Sequence, residues 1–170
     1  MQELLYKFDT VTQELCRLLQ PLDEAELNRA PFKDSWTAGQ VGDHLYRSYE
    51  VSAILNGNVE PTQRPADQKL REVENLFLDF TVKMESPREI LPSKSPIDKD
   101  SLLSSLQRRI AEQRDVILHK DLSMTCLDYA IPGYGPFTRW EWIGFNIVHT
   151  QRHLHQLGNV IGALKNQSSQ

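Results

Sequence analysis

The sequence predicts an all-α protein, a bundle of four main helices joined by longer crossovers. Three observations predict it. Apolar residues recur at three- and four-residue spacing through four long segments. Two of those segments open on a threonine followed three residues later by Gln or Glu, the pattern that closes a helix N-terminus. Few runs alternate apolar and polar residues, and no internal repeat is present.

The first helix is expected over residues 2–19, where Leu4, Leu5, Phe8, Val11, Leu15 and Leu18 share a face and Pro21 ends the run. A short turn of helix follows over Asp23–Asn28 before Pro31. Thr37 with Gln40 opens the second long helix, which carries Val41, His44, Leu45, Ser52 and Leu55 and stops at Asn56-Gly57-Asn58. Residues 59–68 read as a loop, and helical spacing resumes weakly over Leu70–Phe80. Pro87, Pro92 and Pro96 mark 86–98 as the longest irregular stretch. The third long helix runs from Lys99 to Leu118, and 121–137 reads as a second irregular connection. Thr138 with Glu141 opens the last helix, which carries Trp142, Ile143, Ile147, His149, His153, Leu157 and Ile161. Residues 1–165 make a single domain, followed by a polar tail at 166–170.

Composition removes several function classes. With 170 residues the chain has the length of one domain with a sizeable core. Its net charge of −4 leaves no basic footprint for nucleic acid and no attraction to an anionic membrane surface. The N-terminus, with Glu3 and Lys7 in its first turns, does not read as a secretory signal, and no apolar stretch reaches spanning length. Cys16 and Cys126 are expected as two reduced thiols in a cytoplasmic protein.

The histidines carry the chemical information. His149 and His153 lie four apart on one helix, so both imidazoles project from one face, the spacing with which two histidines chelate a metal ion. Such pairs also occur as plain surface residues, but the apolar neighbours Ile143, Ile147, Leu154 and Leu157 turn this pair toward an interior or a cleft. Two buried imidazoles side by side need partners and repel when protonated, and a cation resolves both problems. His44, on the inner edge of its helix, is the candidate third ligand, with a satisfied core histidine as the alternative reading. His155, two residues past His153, belongs on the surface. The intervening sequence Thr150-Gln151-Arg152 lacks the glutamate that serves as general base in the metalloprotease motif, so peptide hydrolysis by that route is not expected.

Two longer stretches resemble the DinB-like superfamily: Trp36-Thr37-Ala38-Gly39-Gln40-Val41-Gly42-Asp43-His44-Leu45, and Tyr134 to Trp142 leading into His149, Arg152-His153 and Gln156-Leu157. The resemblance implies an up-down-down-up four-helix bundle with a metal near one end. By position, its three histidine ligands fall on His44, His149 and His153. It also implies thiol-dependent transfer or isomerisation, hydrolysis, or no known activity, often in a homodimer. The family name refers to DNA damage induction and implies no DNA binding.

Three imidazoles leave a coordination position open, where a metal lowers the pKa of water, polarises a carbonyl or holds a thiol as thiolate. Two function classes follow. One is a metal-dependent enzyme acting on a small molecule, either a hydrolase or a low-molecular-weight-thiol transferase. The other is a non-catalytic metal-binding bundle, serving as a binding or stress-associated protein. An open cleft at the metal favours the first and a fourth protein ligand the second. Imidazole suits zinc, nickel, iron and copper; zinc or nickel is the expectation, with iron or manganese as alternatives. No general base is evident. Asn146, one turn before His149, and Arg152, read equally as an anion binder or as a surface or interhelical salt-bridge residue, are the weak catalytic candidates. Asp43 and Glu50 point away from the metal but remain potential hydrogen-bond acceptors for an imidazole. Tyr46, Tyr129 and Tyr134 either line the mouth or pack. His119, near the end of the third helix, and the two cysteines are given no role at the site. Occupancy of a three-histidine site is expected to fall as pH drops below about 6.

Overall fold

The computed structural model describes residues 1–168. The fold is mostly helical. Helices α1 (Gln2–Leu19), α2 (Glu24–Asn28), α3 (Ala38–Ser48), α4 (Val51–Asn56), α5 (Leu70–Phe77), α6 (Lys99–His119) and α7 (Arg139–Ser168) follow in order. No helix among the described residues is long and apolar enough to cross a membrane.

The predicted caps form. Thr37 and Gln40 close the start of α3 reciprocally, each side chain taking the other's backbone N–H at 3.1 Å. Thr138 and Glu141 do the same for α7, at 2.9 and 3.1 Å. Glu141 is fully buried and is also gripped by both terminal nitrogens of Arg64, at 2.5 and 2.6 Å, which ties the 61–69 loop to the helix.

The second long helix is broken where the sequence suggested continuity. Between α3 and α4 the bonding tightens to three-residue steps, from Ser52 N to Tyr49 O and from Ala53 N to Glu50 O. The hydroxyls of Ser48 and Ser52 bond to the carbonyls of Leu45 and Tyr49, competing for the acceptors that a continuous helix needs.

The connection at 121–137 is not irregular. It holds strands β2 (Thr125–Ile131) and β3 (Gly135–Thr138), and with β1 (Val59–Glu60) they make an antiparallel sheet in the order β1-β2-β3. The fold is therefore helical with a small sheet, not purely α. Register places Val59 opposite Cys126 and Ile131 opposite Gly135, with a bulge between Thr125 and Ala130. The turn requires Gly133 and Gly135, at φ +88° and +65°. Only the first two residues of β2 are buried, so no alternating pattern marked it.

The long helices pack on one another, α1 against α6 and α7, and α3 against α6 and α7. Two apolar clusters result. Leu4, Phe8 and Val11 join Val116, Ile117, Trp142 and Ile143 in one. Leu15 and Leu19 join Val41, Leu45, Leu102, Leu106, Leu157 and Val160 in the other. Along α7 the paired histidines fall between the residues of these two clusters. α7 runs on through Ser168, so three of the five residues set apart as a tail continue the helix, and Gln167 donates to the Pro31 carbonyl at 2.7 Å. Residues 169–170 of that tail lie outside the described residues.

Candidate metal centre

Helix α3 delivers His44, and α7 delivers His149 and His153 one turn apart. All three are buried, with 1%, 5% and 8% of their surface exposed. Their Nε2 atoms converge. His149 Nε2 lies 3.1 Å from His44 Nε2 and 3.1 Å from His153 Nε2.

The outer nitrogens decide which ring atom carries the proton. His44 Nδ1 is 2.7 Å from the carbonyl oxygen of Ile90, which can only accept, so that nitrogen carries the hydrogen. His153 Nδ1 is 2.8 Å from Gln156 Oε1 and donates likewise. Both residues, when neutral, therefore present a bare lone pair at Nε2. His149 Nε2 carries at most one proton and can offer it to only one of them, so the other 3.1 Å contact has no hydrogen between its nitrogens. A cation at the point of convergence removes that conflict. Metal–nitrogen bonds of about 2.0–2.1 Å at angles near 90–109° separate neighbouring nitrogens by about 2.8–3.4 Å, which matches both 3.1 Å spacings found. The donor set therefore fits a divalent metal. Among the described residues these three form the only such cluster of His, Cys, Asp or Glu, and neither cysteine joins it.

The surroundings keep the imidazoles neutral. Burial lowers the pKa of His44, although its bond to Ile90 opposes the shift. Burial, then the neighbouring His153 and His44, hold His149 well below the ordinary histidine value. Burial and His44 push His153 down to about 3. Aromatic rings enclose the cluster. Phe145 stacks on His149 at 5.5 Å with Phe77 edge-on at 5.9 Å, and Trp36 lies parallel to His153 at 6.2 Å.

The histidines lie in the wall of a cleft of about 1180 Å³, lined also by Trp36, Phe80, Met84, Tyr129 and Trp142. The proline-rich stretch forms one side of it and is docked on α3. Gln40 Nε2 donates to Ser93 O at 2.9 Å, and Asp43 accepts from Ser93 N–H at 2.7 Å and from Arg47 Nε at 2.9 Å. Asp43 thus touches no imidazole; it holds the segment whose Ile90 carbonyl orients one. Glu50 pairs with Arg109.

The two weak catalytic candidates are placed differently. Asn146 does not line the cleft; it is buried against α6, where its Nδ2 donates to Gln113 Oε1 at 2.6 Å. Arg152 lines the cleft, but its guanidinium is committed to backbone carbonyls. Its Nη1 donates to the carbonyls of Phe77 at 3.0 Å and Asp79 at 3.1 Å, and its Nη2 to that of Val82, tying the chain after α5 to α7. Of the tyrosines, Tyr129 lines the cleft, whereas Tyr46 lies under Arg109 and Tyr134 packs against Phe137. His155 is on the surface, stacked on Phe80 at 4.2 Å.

Sequence reasoning gave no role to Ile90, Gln156, Phe77 or Gln113. Gln156 sits three residues after His153 and was legible from that spacing. A backbone carbonyl in a proline-rich loop leaves no such signal.

A family model described as the DinB superfamily matches residues 7–157, which take in both histidine-bearing stretches. The chain belongs to the DinB superfamily. No curated protein and no solved structure gives a significant match.

Proposed function

We propose that this protein is a metal-dependent enzyme acting on a small apolar molecule, with one divalent metal, zinc or nickel before iron or manganese, held by His44, His149 and His153. The observation that carries this reading is the convergence of three buried Nε2 atoms, two of them already presenting lone pairs, at the wall of an open cleft. A metal held by three neutral imidazoles keeps its full charge and, when bound, would stabilise a thiolate or polarise a carbonyl.

The chain's own residues shape the rest. Trp36, Phe80, Met84 and Trp142 favour an apolar body in the cleft. Phe145 and Phe77 screen His149 from water, which strengthens electrostatic interactions there. Among the described residues no carboxylate joins the histidines, and Asp43 and Glu50 are committed to arginines. This favours transfer of a low-molecular-weight thiol over hydrolysis, because a thiol that ionises at the metal needs no carboxylate base. In that reaction the thiol loses its proton, its sulfur bonds to an electrophilic carbon, and the departing atom takes up a proton. A fourth protein ligand would support a purely binding role; the open cleft supports turnover. The same reading takes α1, α3 with α4, α6 and α7 as an up-down-down-up four-helix bundle. It also takes the molecule as a cytoplasmic homodimer whose partner is a small substrate, not a nucleic acid or a membrane.

The test is metal content by plasma mass spectrometry on tag-free protein and on His44→Ala, His149→Ala and His153→Ala, followed by a thiol-consumption screen with apolar electrophiles. Near one metal per chain, lost in each variant, with thiol consumption that follows it, is the expected result. No metal after reconstitution of the wild type would overturn the proposal.

A further inference from the structure

Each ring that presents Nε2 to the shared point needs its Nδ1 hydrogen accepted. For His44 the acceptor is Ile90 O and for His153 it is Gln156 Oε1. His149 Nδ1 is buried and has no partner within the protein. A buried N–H without an acceptor costs about 1–3 kcal/mol.

One group on the same helix has the complementary deficiency. Asn146 lies three residues before His149, is 1% exposed, and its Oδ1 is buried and unpaired. The other buried side-chain atoms in that condition, among the described residues, are Arg109 Nε, Gln113 Nε2 and Trp142 Nε1, all donors. Among these side-chain atoms of the described residues, Asn146 Oδ1 is thus the one acceptor.

We infer that Asn146, held by Gln113, is the positioning residue for His149, accepting its Nδ1 hydrogen through one buried water and so keeping Nε2 free as a ligand. The inference rests on the proposed metal site. The orientation of the amide pair supplies the logic. With Asn146 Nδ2 donating to Gln113 Oε1 at 2.6 Å, the atom left over on Asn146 is an acceptor. If both amides were reversed, the atom left over would be a donor, the Nδ1 lone pair would accept from it, and the proton would move to Nε2 and block ligation. Gln113, fully buried on α6, therefore acts through Asn146 on the state of His149. Hydrogen bonds of this kind hold a ligand ring in one tautomer and raise its basicity.

The experiment measures the affinity of Zn²⁺ alone, by competition with a chromophoric chelator, for wild type, Asn146→Leu and Asn146→Asp. It also records long-range ¹H–¹⁵N spectra of the zinc-loaded proteins. Asn146→Leu is expected to weaken binding 10- to 100-fold while keeping a cooperative melt. Asn146→Asp, which keeps an acceptor, is expected to restore wild-type affinity or better. The exchange-protected Nδ1 proton of His149 is expected in wild type and Asn146→Asp and not in Asn146→Leu. If Asn146→Leu fails to fold, Asn146→Asp decides, since an aspartate that weakens binding 10-fold or more overturns the inference. Zinc binding unchanged by Asn146→Leu overturns the role of Asn146 and leaves the metal site standing. Wild type that binds no zinc overturns both.

Discussion

Tyr49 Oη and Thr150 Oγ1 lie 2.6 Å apart, both residues fully buried, and join the break between α3 and α4 to α7 one residue past His149. Neither hydroxyl reaches water, so each depends on the other. Tyr49→Phe is expected to lower stability by about 1–2 kcal/mol, the cost of leaving one buried hydroxyl unpaired. Chemical denaturation checks this, and a variant as stable as wild type would show that Thr150 finds another partner.

The three lowered histidine pKa values make a prediction about acid. In the unfolded chain these groups protonate near 6.5, whereas burial keeps them neutral in the folded protein to lower pH, for His153 down to about 3. Below 6.5 the unfolded state therefore binds more protons than the folded state, and stability must fall as pH falls. The loss should begin near 6.5 and continue toward 3. Lowered carboxylates such as Asp98 and Asp128 add their own losses only nearer their ordinary value of 3.8. Denaturation of chelator-treated protein at pH 7.5 and 5 tests this; equal stabilities would contradict it. The same shifts move proton competition for the metal below the value near 6 expected from ordinary histidines.

Arg152 makes a different prediction. With three carbonyls of the 77–82 segment bonded to one guanidinium, Arg152→Met should loosen that cleft wall. Amide exchange at residues 78–82 should rise several-fold while metal content stays near wild type, because no histidine bonds to Arg152. Loss of metal in this variant would place Arg152 closer to the ligands than its hydrogen bonds do.

What could be read in advance followed from local chemistry. The capping boxes at Thr37 and Thr138 and the facing of His149 and His153 depend on residues within one or two turns, and they stand as read. The strands β1 to β3 did not show, because β1 is two residues long and pairs with Cys126 across the chain. Asn146 was placed one turn from His149 correctly, but its partner Gln113 lies 33 residues away, and spacing along one helix gives no hint of it. The partners of Arg152 were hidden for the same reason: they are carbonyls, which every residue has.

Gln40 closes the start of α3 with one end of its amide and grips Ser93 with the other, and Ile90, between that anchor and the cleft, orients His44. Residues 88–93 are thus bound to the ligand geometry, whereas 83–87 border the cleft with no hydrogen bond to α3. On the proposed function, the chain can therefore trade substrate preference without retuning the metal site. A chimera with a foreign 83–87 segment should keep full metal content and alter which electrophile it accepts, whereas exchanging 88–93 should lose the metal. One loop thus contains a stretch free to diversify beside a stretch that is not.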